Sequence, residues 1–503
     1  MSTVEFSRPQ ATADALGALA ADRHRFVSKR VLLSGDPSIL ASNNGETAFL
    51  TALRLMPRIC RNVEVSLPPE CAELRRAATT IVANMHDACV IHDAPPPAGG
   101  SFDAILFIGR ASPSDGAYVL VGSDGWIARV SAEGPLPPPE DSTNPIGAFA
   151  AACWGVAEVF KRLIALKPTR GKPADRGSFN TFSLNAHDPV QGPAIPQLTR
   201  PMLLVGAGAI GSAVANLLAM LPVSGPLIIV DNQAFSEENW GTSIVLGKND
   251  YGRPKAEVLA RVLASNVQAI PFVGRVEDLS TRLMDTNMAP PEIVLSGVDN
   301  IDARHRIQSM WPHVVFDGAI GDFPVQVSCH YGDGRFGCLE CLFVDQPGRD
   351  SVAFAAECTG LAPHRVQDAN SLVSEADVSA ARPQSRSWLA ARVGKPVCSV
   401  VSEATAAAIS TEHLPDQFRP SVPFVAGLSA ALMVASLVRL TVGAPLILEP
   451  AYQFDALTGP ARGMMFPLDA KPDCICVARQ QNIRLHRADL RPFDPALLDR
   501  DRS

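Results

Sequence analysis

A glycine-rich sequence near the middle of the chain has the composition of a phosphate-binding turn. Gly206, Gly208 and Gly211 follow the apolar run 201–205 and open a helix-like run. A strand that turns directly into a helix places backbone N–H groups and the helix N-terminus around a phosphate, and glycines let the backbone approach it closely. Asp231 ends the next apolar run, where an acidic side chain can take ribose hydroxyls. These residues predict a nucleotide site, for either NAD or ATP.

Charged residues farther along the chain favour ATP over NAD. Arg253 and Lys255 lie in a loop that runs into a helix, and a triphosphate has more use for such cations than a dinucleotide. Asp299 follows another apolar run, and a carboxylate at the C-terminal end of a strand can hold Mg²⁺ beside a ligand. Arg304 faces the same region if a helix starts at Asn300. We therefore predict ATP and Mg²⁺ as ligands, with Asp299 and Arg304 in catalysis.

Four cysteines in two close pairs predict a metal site. The pairs are Cys338-x-x-Cys341 and Cys474-x-Cys476. Four thiolates so arranged are typical ligands of a tetrahedral structural Zn²⁺. The C-x-C spacing of the second pair strains simultaneous ligation but does not forbid it. We predict zinc bound by all four; the alternative is four reduced cysteines without a metal.

Two further cysteines are candidates for a nucleophile, which needs thiolate character and exposure. Cys398 precedes a helix-like run whose N-terminal dipole would lower the pKa of the thiol, and Lys395 is near it in sequence. Cys358 is the rival. We predict Cys398, because the chain between the two has the character of an inserted segment that would present it. A core thiol buried between Val397 and Val400 is the alternative.

The chain uses one structural plan twice. Residues 30–57 predict a strand, a loop and a helix like those at 201–222, although the first loop lacks G-x-G-x-x-G. Helices of small and apolar residues are predicted at 144–163 and 422–440, each far downstream of its own strand–loop–helix unit. A chance likeness between two alanine-rich helices is the alternative. The polar stretch 167–197 between the halves predicts a linker or a surface excursion.

These patterns predict an α/β protein with two Rossmann-like domains. The first is degenerate, because it has no phosphate loop. The second carries the nucleotide site, the zinc module and an inserted segment with the catalytic cysteine. The predicted bounds are 1–190 for the first domain, 191–503 for the second and about 342–420 for the cysteine segment.

Composition argues against several classes of protein. The chain has 503 residues, a formal net charge of −7 and no dense run of lysine and arginine, which disfavours nucleic acid as a partner. The polar N-terminus, 1–10, is not a secretory signal. The longest apolar run, 424–438, is shorter than the roughly 20 residues that span a membrane. We expect a soluble, cytoplasmic protein with no membrane partner and a buried helix at 424–438.

The order of these motifs resembles the ubiquitin-activating enzyme superfamily, which includes the ThiF/MoeB-type adenylyltransferases of bacteria. The resemblance covers roughly 198–485 and rests on Gly206, Gly208, Gly211, Asp231, Asn239, Lys255, Asp299, Arg304 and Cys338-x-x-Cys341. It implies that Asp231 binds ribose, that Asn239 and Lys255 hold phosphates and that Asp299 binds Mg²⁺. The superfamily usually has Asn-x-x-Arg-Gln where this chain has Asn239 followed by Trp, Gly, Thr242 and Ser. One phosphate contact is therefore lost, and Arg253 or an arginine of a partner subunit would substitute.

The resemblance also implies an activity. The C-terminal carboxylate of a small ubiquitin-like protein that ends in glycine would attack Mg·ATP, and Cys398 would then form a thioester for transfer to a conjugating-enzyme-like protein. The two domains resemble the inactive and active halves of ubiquitin-activating enzymes fused in one chain, and a homodimer is a further expectation. The alanine-rich composition suggests a bacterial source, and bacterial enzymes of this shape resemble those of ubiquitination-like antiphage defence operons.

Two alternatives stay open at this point. A sulfur-carrier adenylyltransferase without conjugation would share the ATP site and use Cys358 or no cysteine. The second is a protein of another class: an NAD-binding oxidoreductase would share only the glycine loop and Asp231, and an inactive scaffold would have lost the site. Lys255 and Asp299 argue against that second alternative.

Overall fold

Two mixed β-sheets with helices packed around them form the structure, which is a computed structural model. It describes residues 4–15, 26–85, 89–92, 102–111, 118–166, 173–186, 188–320, 323–332, 336–343, 351–368, 371–397, 400–401, 404, 421–444 and 451–496. The predicted α/β class with two Rossmann-like units is confirmed.

The first sheet has the strand order β3-β2-β1-β4-β5-β6-β7. Its strands are β1 (Arg30–Gly35), β2 (Asn62–Ser66), β3 (Cys89–His92), β4 (Ala104–Ile108), β5 (Tyr118–Asp124), β6 (Ile127–Ser131) and β7 (Arg176–Asn180). Strands β1 to β5 pair in parallel, and β6 and β7 extend the sheet antiparallel. The central β1 is buried along almost all of its length, as expected of a parallel strand covered by helices on both faces.

The second sheet has the order β10-β9-β8-β11-β12-β13-β14-β15. Its strands are β8 (Met202–Val205), β9 (Leu227–Asp231), β10 (Ala269–Val273), β11 (Ile293–Ser296), β12 (Val314–Ile320), β13 (Pro324–Tyr331), β14 (Ala451–Asp455) and β15 (Met464–Phe466). The first five strands in this order are parallel, and the last three are antiparallel.

The two sheets therefore repeat one topology. In each, the first strand lies between the second and the fourth, so the chain reverses its direction of travel across the sheet at that point. In open α/β sheets, ligands bind at this switch point, beyond the C-terminal ends of the strands. In the second sheet the switch point lies between β8 and β11, and the glycine loop follows β8.

Helices connect the strands of both sheets, and four of them lie in the stretch 345–395, where the sequence predicts an irregular segment with one helix near its end. In the first half they are α1 (Ser7–Ala15), α2 (Pro37–Leu40), α3 (Asn43–Leu55), α4 (Ala72–Ala83) and α5 (Ile146–Leu163). In the second half they are α6 (Ala209–Leu218), α7 (Lys255–Leu263), α8 (Val276–Asp285), α9 (Ile301–Ser309), α10 (Leu339–Leu342), α11 (Ser351–Thr359), α12 (Pro363–Gln367), α13 (Glu375–Ala380), α14 (Pro383–Ala390), α15 (Pro423–Thr441), α16 (Ile475–Ala478) and α17 (Gln480–Asp489).

Helices α5 and α15 join the halves through one continuous apolar core. A Cβ atom on Gly427 would lie 2.4 Å from the Sγ of Cys153, so the glycine permits the close approach of the two helices. By length and composition alone, α15 could cross a membrane, but 89% of its apolar window is buried inside the protein. The prediction of a buried helix at 424–438 is confirmed.

The connection between β1 and α3 shows how the first half differs from the second. Gly45 and Gly211 each occupy the third position of their helix. A Cβ on Gly45 would lie 1.8 Å from the carbonyl oxygen of Ile39 in α2, and a Cβ on Gly211 would lie 1.9 Å from that of Gly206. In the first half, however, the Asp141 carboxylate accepts hydrogen bonds from the backbone N–H of Asn44 and the side chain of Asn43, at 3.2 and 3.0 Å. The chain's own carboxylate thus takes the anion position at this helix N-terminus.

The prediction of a linker at 167–197 is wrong in part, because this stretch contains β7. Strand β7 pairs with β6 along Arg176–Asn180 and buries Phe179. A Cβ on Gly177 would lie 2.3 Å from the Trp154 ring, so a glycine is needed where the strand crosses α5. The small and polar residues that suggested a linker are those that let this strand fit.

Candidate functional site

The glycine loop connects β8 to α6 at the switch point. Gly206 has a φ of +89°, which favours glycine, and a Cβ on Gly211 would lie 1.9 Å from the Gly206 carbonyl oxygen. A Cβ on Gly208 would meet no atom within 4 Å among the described residues. Gly206 and Gly211 are thus required by the fold, whereas Gly208 leaves space beside the first N–H groups of α6, where a phosphate could bind.

Asp231, at the end of β9, joins the glycine loop to the turn that follows. Its Oδ2 accepts a hydrogen bond from the Ala207 N–H at 2.7 Å, and its Oδ1 accepts one from the Gln233 N–H at 2.8 Å. The carboxylate is half-buried. The carboxylate lies where the sequence predicts a residue that binds ribose. Its hydrogen bonds also fix the shape of the glycine loop.

Lys255 begins α7 and is only 6% exposed. Its Nζ donates to the Oε1 of Gln233 at 2.7 Å and lies 5.8 Å from the centre of the Phe235 ring. Both contacts are with neutral groups, and in the described part of the chain Lys255 forms no ion pair. Sequence reasoning missed Gln233, although a polar residue just after the strand that ends at Asp231 was a signal.

Asn239 is held by its own turn. Its Oδ1 accepts hydrogen bonds from the N–H and the hydroxyl of Ser236, at 3.0 and 3.2 Å. Thr242, which stands where the superfamily has arginine, is buried, whereas Arg253 is exposed. The phosphate roles of Asn239 and Arg253 stay predictions.

An arginine from the first half enters the loop after Asn239. Arg58 has no exposed surface, and its guanidinium stacks 4.4 Å from the centre of the Trp240 ring. It donates to three carbonyl oxygens of this loop, those of Trp240 at 2.9 Å, Ile244 at 3.0 Å and Leu246 at 2.8 Å. Burial lowers the pKa of Arg58 to about 9, which leaves it charged at neutral pH. The first half therefore shapes a loop next to the candidate nucleotide site, through contacts that no sequence motif indicated.

Asp299 and Arg304 lie in different environments. Asp299 is exposed beyond the end of β11, next to Asn300, whose side chain caps α9. Arg304 is buried, with its Nε 3.1 Å from both carboxylate oxygens of Asp317, and its guanidinium lies 4.1 Å from the centre of the Phe343 ring. Burial raises the pKa of the Asp317 carboxyl, and Arg304 opposes that shift. Arg304 thus anchors β12 to α9; its catalytic role stays a prediction.

The four predicted metal ligands meet at one point. The Sγ–Sγ distances are 3.8 Å for Cys338 and Cys341, 3.5 Å for Cys338 and Cys474, and 3.6 Å for Cys341 and Cys476, and all four sulfurs lie within 4.8 Å of one another. Zinc–sulfur bonds of about 2.3 Å in a tetrahedron require sulfur separations of about 3.8 Å. The backbone N–H of Lys471 also donates to the Cys341 sulfur at 3.4 Å. The C-x-C pair therefore fits Zn²⁺ together with the first pair.

The two candidate nucleophiles lie in the segment that contains α11 to α14. Cys398 lies outside the described residues, but Val397 and Val400 on either side of it are buried in a small apolar cluster of this segment. Cys358 is half-buried in the last turn of α11. Burial, and then the charge of Glu357, raise the pKa of its thiol. The negative end of a helix dipole also disfavours a thiolate there.

Comparisons with known proteins match both halves of the chain. A model of the ThiF family matches residues 198–476, more than half of the chain, and a model of the BilD N-terminal domain matches residues 30–174. Uncharacterized protein y4jF of Sinorhizobium fredii is 27% identical over 340 residues, which cover 65% of this chain and 59% of that protein. SAMP-activating enzyme E1 of Haloferax volcanii is 29% identical over 161 residues, covering 31% of this chain and 57% of that enzyme.

A crystal structure of E. coli MccB has a TM-score of 0.36 and 16% identity, and the match covers 55% of this chain and 64% of that one. The chain spans less than two thirds of the length of each of these relatives.

Proposed function

The chain belongs to the ThiF family, and we propose that it uses ATP to activate a small ubiquitin-like protein in two steps. In the first step, the C-terminal carboxylate of the carrier is adenylated. In the second, the acyl group passes to Cys398 as a thioester, from which a conjugating-enzyme-like protein receives it. This proposal includes the two predicted domains, 1–190 and 191–503, and the cysteine segment at about 342–420.

The buried ammonium of Lys255 is the observation that carries the use of ATP. An ammonium that is 6% exposed and, among the described residues, contacts only neutral partners is costly unless an anion approaches it. The same edge of the sheet offers the first N–H groups of α6 beside the open side of Gly208. A cation and a helix N-terminus together suit the phosphates of a triphosphate better than those of NAD.

In the adenylation step, a carboxylate oxygen of the carrier attacks the α-phosphorus of ATP. The bond between the α-phosphorus and the oxygen bridging to the β-phosphate breaks, and pyrophosphate leaves with the electron pair. Lys255 and the loop N–H groups stabilise charge on the phosphates, while Asp231 holds the ribose hydroxyls. Both roles follow from positions at one edge of the second sheet.

In the thioester step, the Cys398 thiolate attacks the acyl carbon, and the bond to the AMP oxygen breaks. The raised pKa of the rival Cys358 supports the choice of Cys398, because the thiolate is the reactive form. A sulfur-carrier adenylyltransferase would stop after the first step or use Cys358, and it remains the second candidate.

Two metal ions complete the proposal. Mg²⁺ would neutralise phosphate charge, and the exposed Asp299 carboxylate supplies the hard oxygen ligand that this ion prefers. Zn²⁺ would stabilise the fold through Cys338, Cys341, Cys474 and Cys476, whose sulfur spacing fits a tetrahedral site.

The substrate class is supported by the names of relatives. SAMP-activating enzyme E1 of Haloferax volcanii is named for activating SAMP, and the NEDD8-activating enzyme E1 catalytic subunit of Saccharomyces cerevisiae, 29% identical over 106 residues, for activating NEDD8. We infer a carrier with a C-terminal glycine, action in the cytoplasm and a place in antiphage defence. The predicted homodimer is part of the same inference.

Isotope exchange between pyrophosphate and ATP tests the first step directly. In the presence of candidate small proteins ending in glycine, we expect carrier-dependent exchange that Lys255→Met abolishes. Lys248→Met is the matched control, because it removes the same charge from an exposed side chain and should leave exchange unchanged. Exchange that survives Lys255→Met would refute the role of the lysine, and carrier-independent binding of NAD would favour an oxidoreductase instead.

A further inference from the structure

Gln233 connects the two residues that the proposed function assigns to ribose and phosphate. Its backbone N–H donates to the Asp231 carboxylate at 2.8 Å, and its carbonyl oxygen accepts from the Lys255 N–H at 2.8 Å. Its side-chain Oε1 accepts from the Lys255 Nζ at 2.7 Å. Asp231 in turn holds the Ala207 N–H of the glycine loop. One residue therefore lies at the centre of a chain of contacts from the phosphate loop to the lysine.

The group that accepts the hydrogen bond from Lys255 is a neutral amide oxygen and not a carboxylate. The Lys255 ammonium has three N–H donors, and Gln233 accepts from it with a neutral oxygen. An amide oxygen fixes the position of the lysine without cancelling its charge. A carboxylate at the same distance would form an ion pair and reduce the positive field that an incoming anion meets.

We propose that Gln233 is a positioning residue of the nucleotide site, which holds the Lys255 ammonium with a neutral oxygen so that its full charge acts on the phosphates of ATP. This inference rests on the proposed use of ATP. It adds a residue that the glycine loop and the charged motifs did not include, and it explains why a buried lysine in the described part of the chain has no acidic partner.

Two substitutions at this position separate the electrostatic role from a packing role. Gln233→Glu keeps the shape of the side chain and an acceptor for Lys255 but adds a negative charge. Gln233→Met keeps the approximate length and removes the acceptor without adding charge. If Gln233 only packed or capped the lysine, Glu would be the milder change; if it preserves the positive charge for a phosphate, Glu is the more severe one.

Titration calorimetry of the full chain with Mg·ATP and with AMP measures which of the two substitutions weakens binding more. We expect Gln233→Glu to weaken Mg·ATP binding by at least about tenfold and Gln233→Met by about threefold, because adding an opposing charge outweighs losing one hydrogen bond. AMP binding should change less than Mg·ATP binding, because AMP lacks the β- and γ-phosphates. Gln268→Glu is the matched control: Gln268 is exposed at the other end of the same sheet, just before β10, and its substitution should leave both affinities unchanged.

The outcomes are distinct. Mg·ATP binding by Gln233→Glu at wild-type affinity, or weaker binding by Gln233→Met than by Gln233→Glu, would overturn the inference and leave the proposed function intact. Wild-type protein that does not bind Mg·ATP would overturn both. Circular dichroism and thermal unfolding of each variant show whether the fold is kept, and the backbone contacts of Gln233 with Asp231 and Lys255 do not depend on its side chain.

Discussion

Alanine substitutions at Gly208 and Gly211 should separate ligand binding from folding within one loop. In Gly208→Ala, the new methyl group would meet no atom of the described residues within 4 Å. The free energy of unfolding should change by less than about 1 kcal/mol. The methyl group would occupy the space where a phosphate approaches the α6 N–H groups. We therefore expect Mg·ATP affinity to fall at least about tenfold, or about 1.4 kcal/mol.

Gly211→Ala should mainly destabilise the fold, whereas Gly208→Ala should mainly weaken ligand binding. Its Cβ would lie 1.9 Å from the Gly206 carbonyl oxygen, so a shift of at least 1.1 Å (from 1.9 to 3.0 Å) is needed to relieve the clash. Overpacking against backbone costs about 1–3 kcal/mol or more. The expected result is a melting temperature lower by roughly 1–5 °C, because the shift per kcal/mol falls as the size of the unfolding unit grows.

Thermal unfolding without ligand, and calorimetry with Mg·ATP, measure the two effects separately. If Gly208→Ala binds Mg·ATP like wild type, the phosphate does not pass on the open side of this glycine. If Gly211→Ala unfolds at the wild-type temperature, the close approach of the Gly206 carbonyl oxygen to α6 does not hold in solution. Either result would refute the corresponding part of the reasoning.

Three further predictions concern other parts of the second half. A reducible thioester between the chain and its carrier should be lost in Cys398→Ala and kept in Cys358→Ala, as seen on non-reducing gels. Purified protein should contain one zinc per chain by atomic emission, and Cys476→Ser should lose it, because the variant keeps only three of the four sulfur ligands that meet at this site. Asp377→Asn should increase proteolysis in α13 and α14 about fivefold at pH 7. Hydrogen bonds from Arg365 hold the pKa of the Asp377 carboxyl at about 2. Losing this ion pair lowers the free energy of unfolding by roughly 1 kcal/mol.

The pH dependence of the last prediction has a definite sign. The carboxyl of Asp377 has a lower pKa in the folded protein than the usual value of about 3.9, so its stabilising effect is present above pH 4 and is lost as the pH falls towards 2. The difference between wild type and Asp377→Asn should vanish over that range. A constant difference down to pH 2 would contradict the ion pair with Arg365.

A thioester lost only in Cys358→Ala would reverse the choice of nucleophile. Zinc retained by Cys476→Ser but lost by Cys71→Ser, which lies in the first half, would refute the metal site.

The sequence predicted most of the fold because apolar periodicity and glycine spacing are local signals. Strand β8, the loop at Gly206 and helix α6 lie within 17 residues of one another in the chain (202–218) and were all predicted. The paired helices α5 and α15 were predicted from their small residues. Strand β7 was missed, because Gly177 suits both a linker and a strand that must pass close to Trp154.

The contacts around the candidate site were harder to predict because they join distant parts of the chain. Nothing local shows that Arg58 binds the carbonyl oxygens of a loop about 180 residues away. Arg304 has the expected place on α9, but its pairing with Asp317 depends on the register of β12 beside β11. The zinc ligands were predicted from their residue types, whereas their convergence depends on how the C-terminal part of the chain returns to α10.

The shared apolar core of α5 and α15 has a consequence for how the protein responds to dilution. Two separate subunits joined by such a core would dissociate at low concentration, and the shaping of the 240–246 loop by Arg58 would be lost with them. A covalent link makes their encounter intramolecular, with an effective concentration on the order of millimolar. Activity per chain should therefore not fall with dilution on account of these two halves separating.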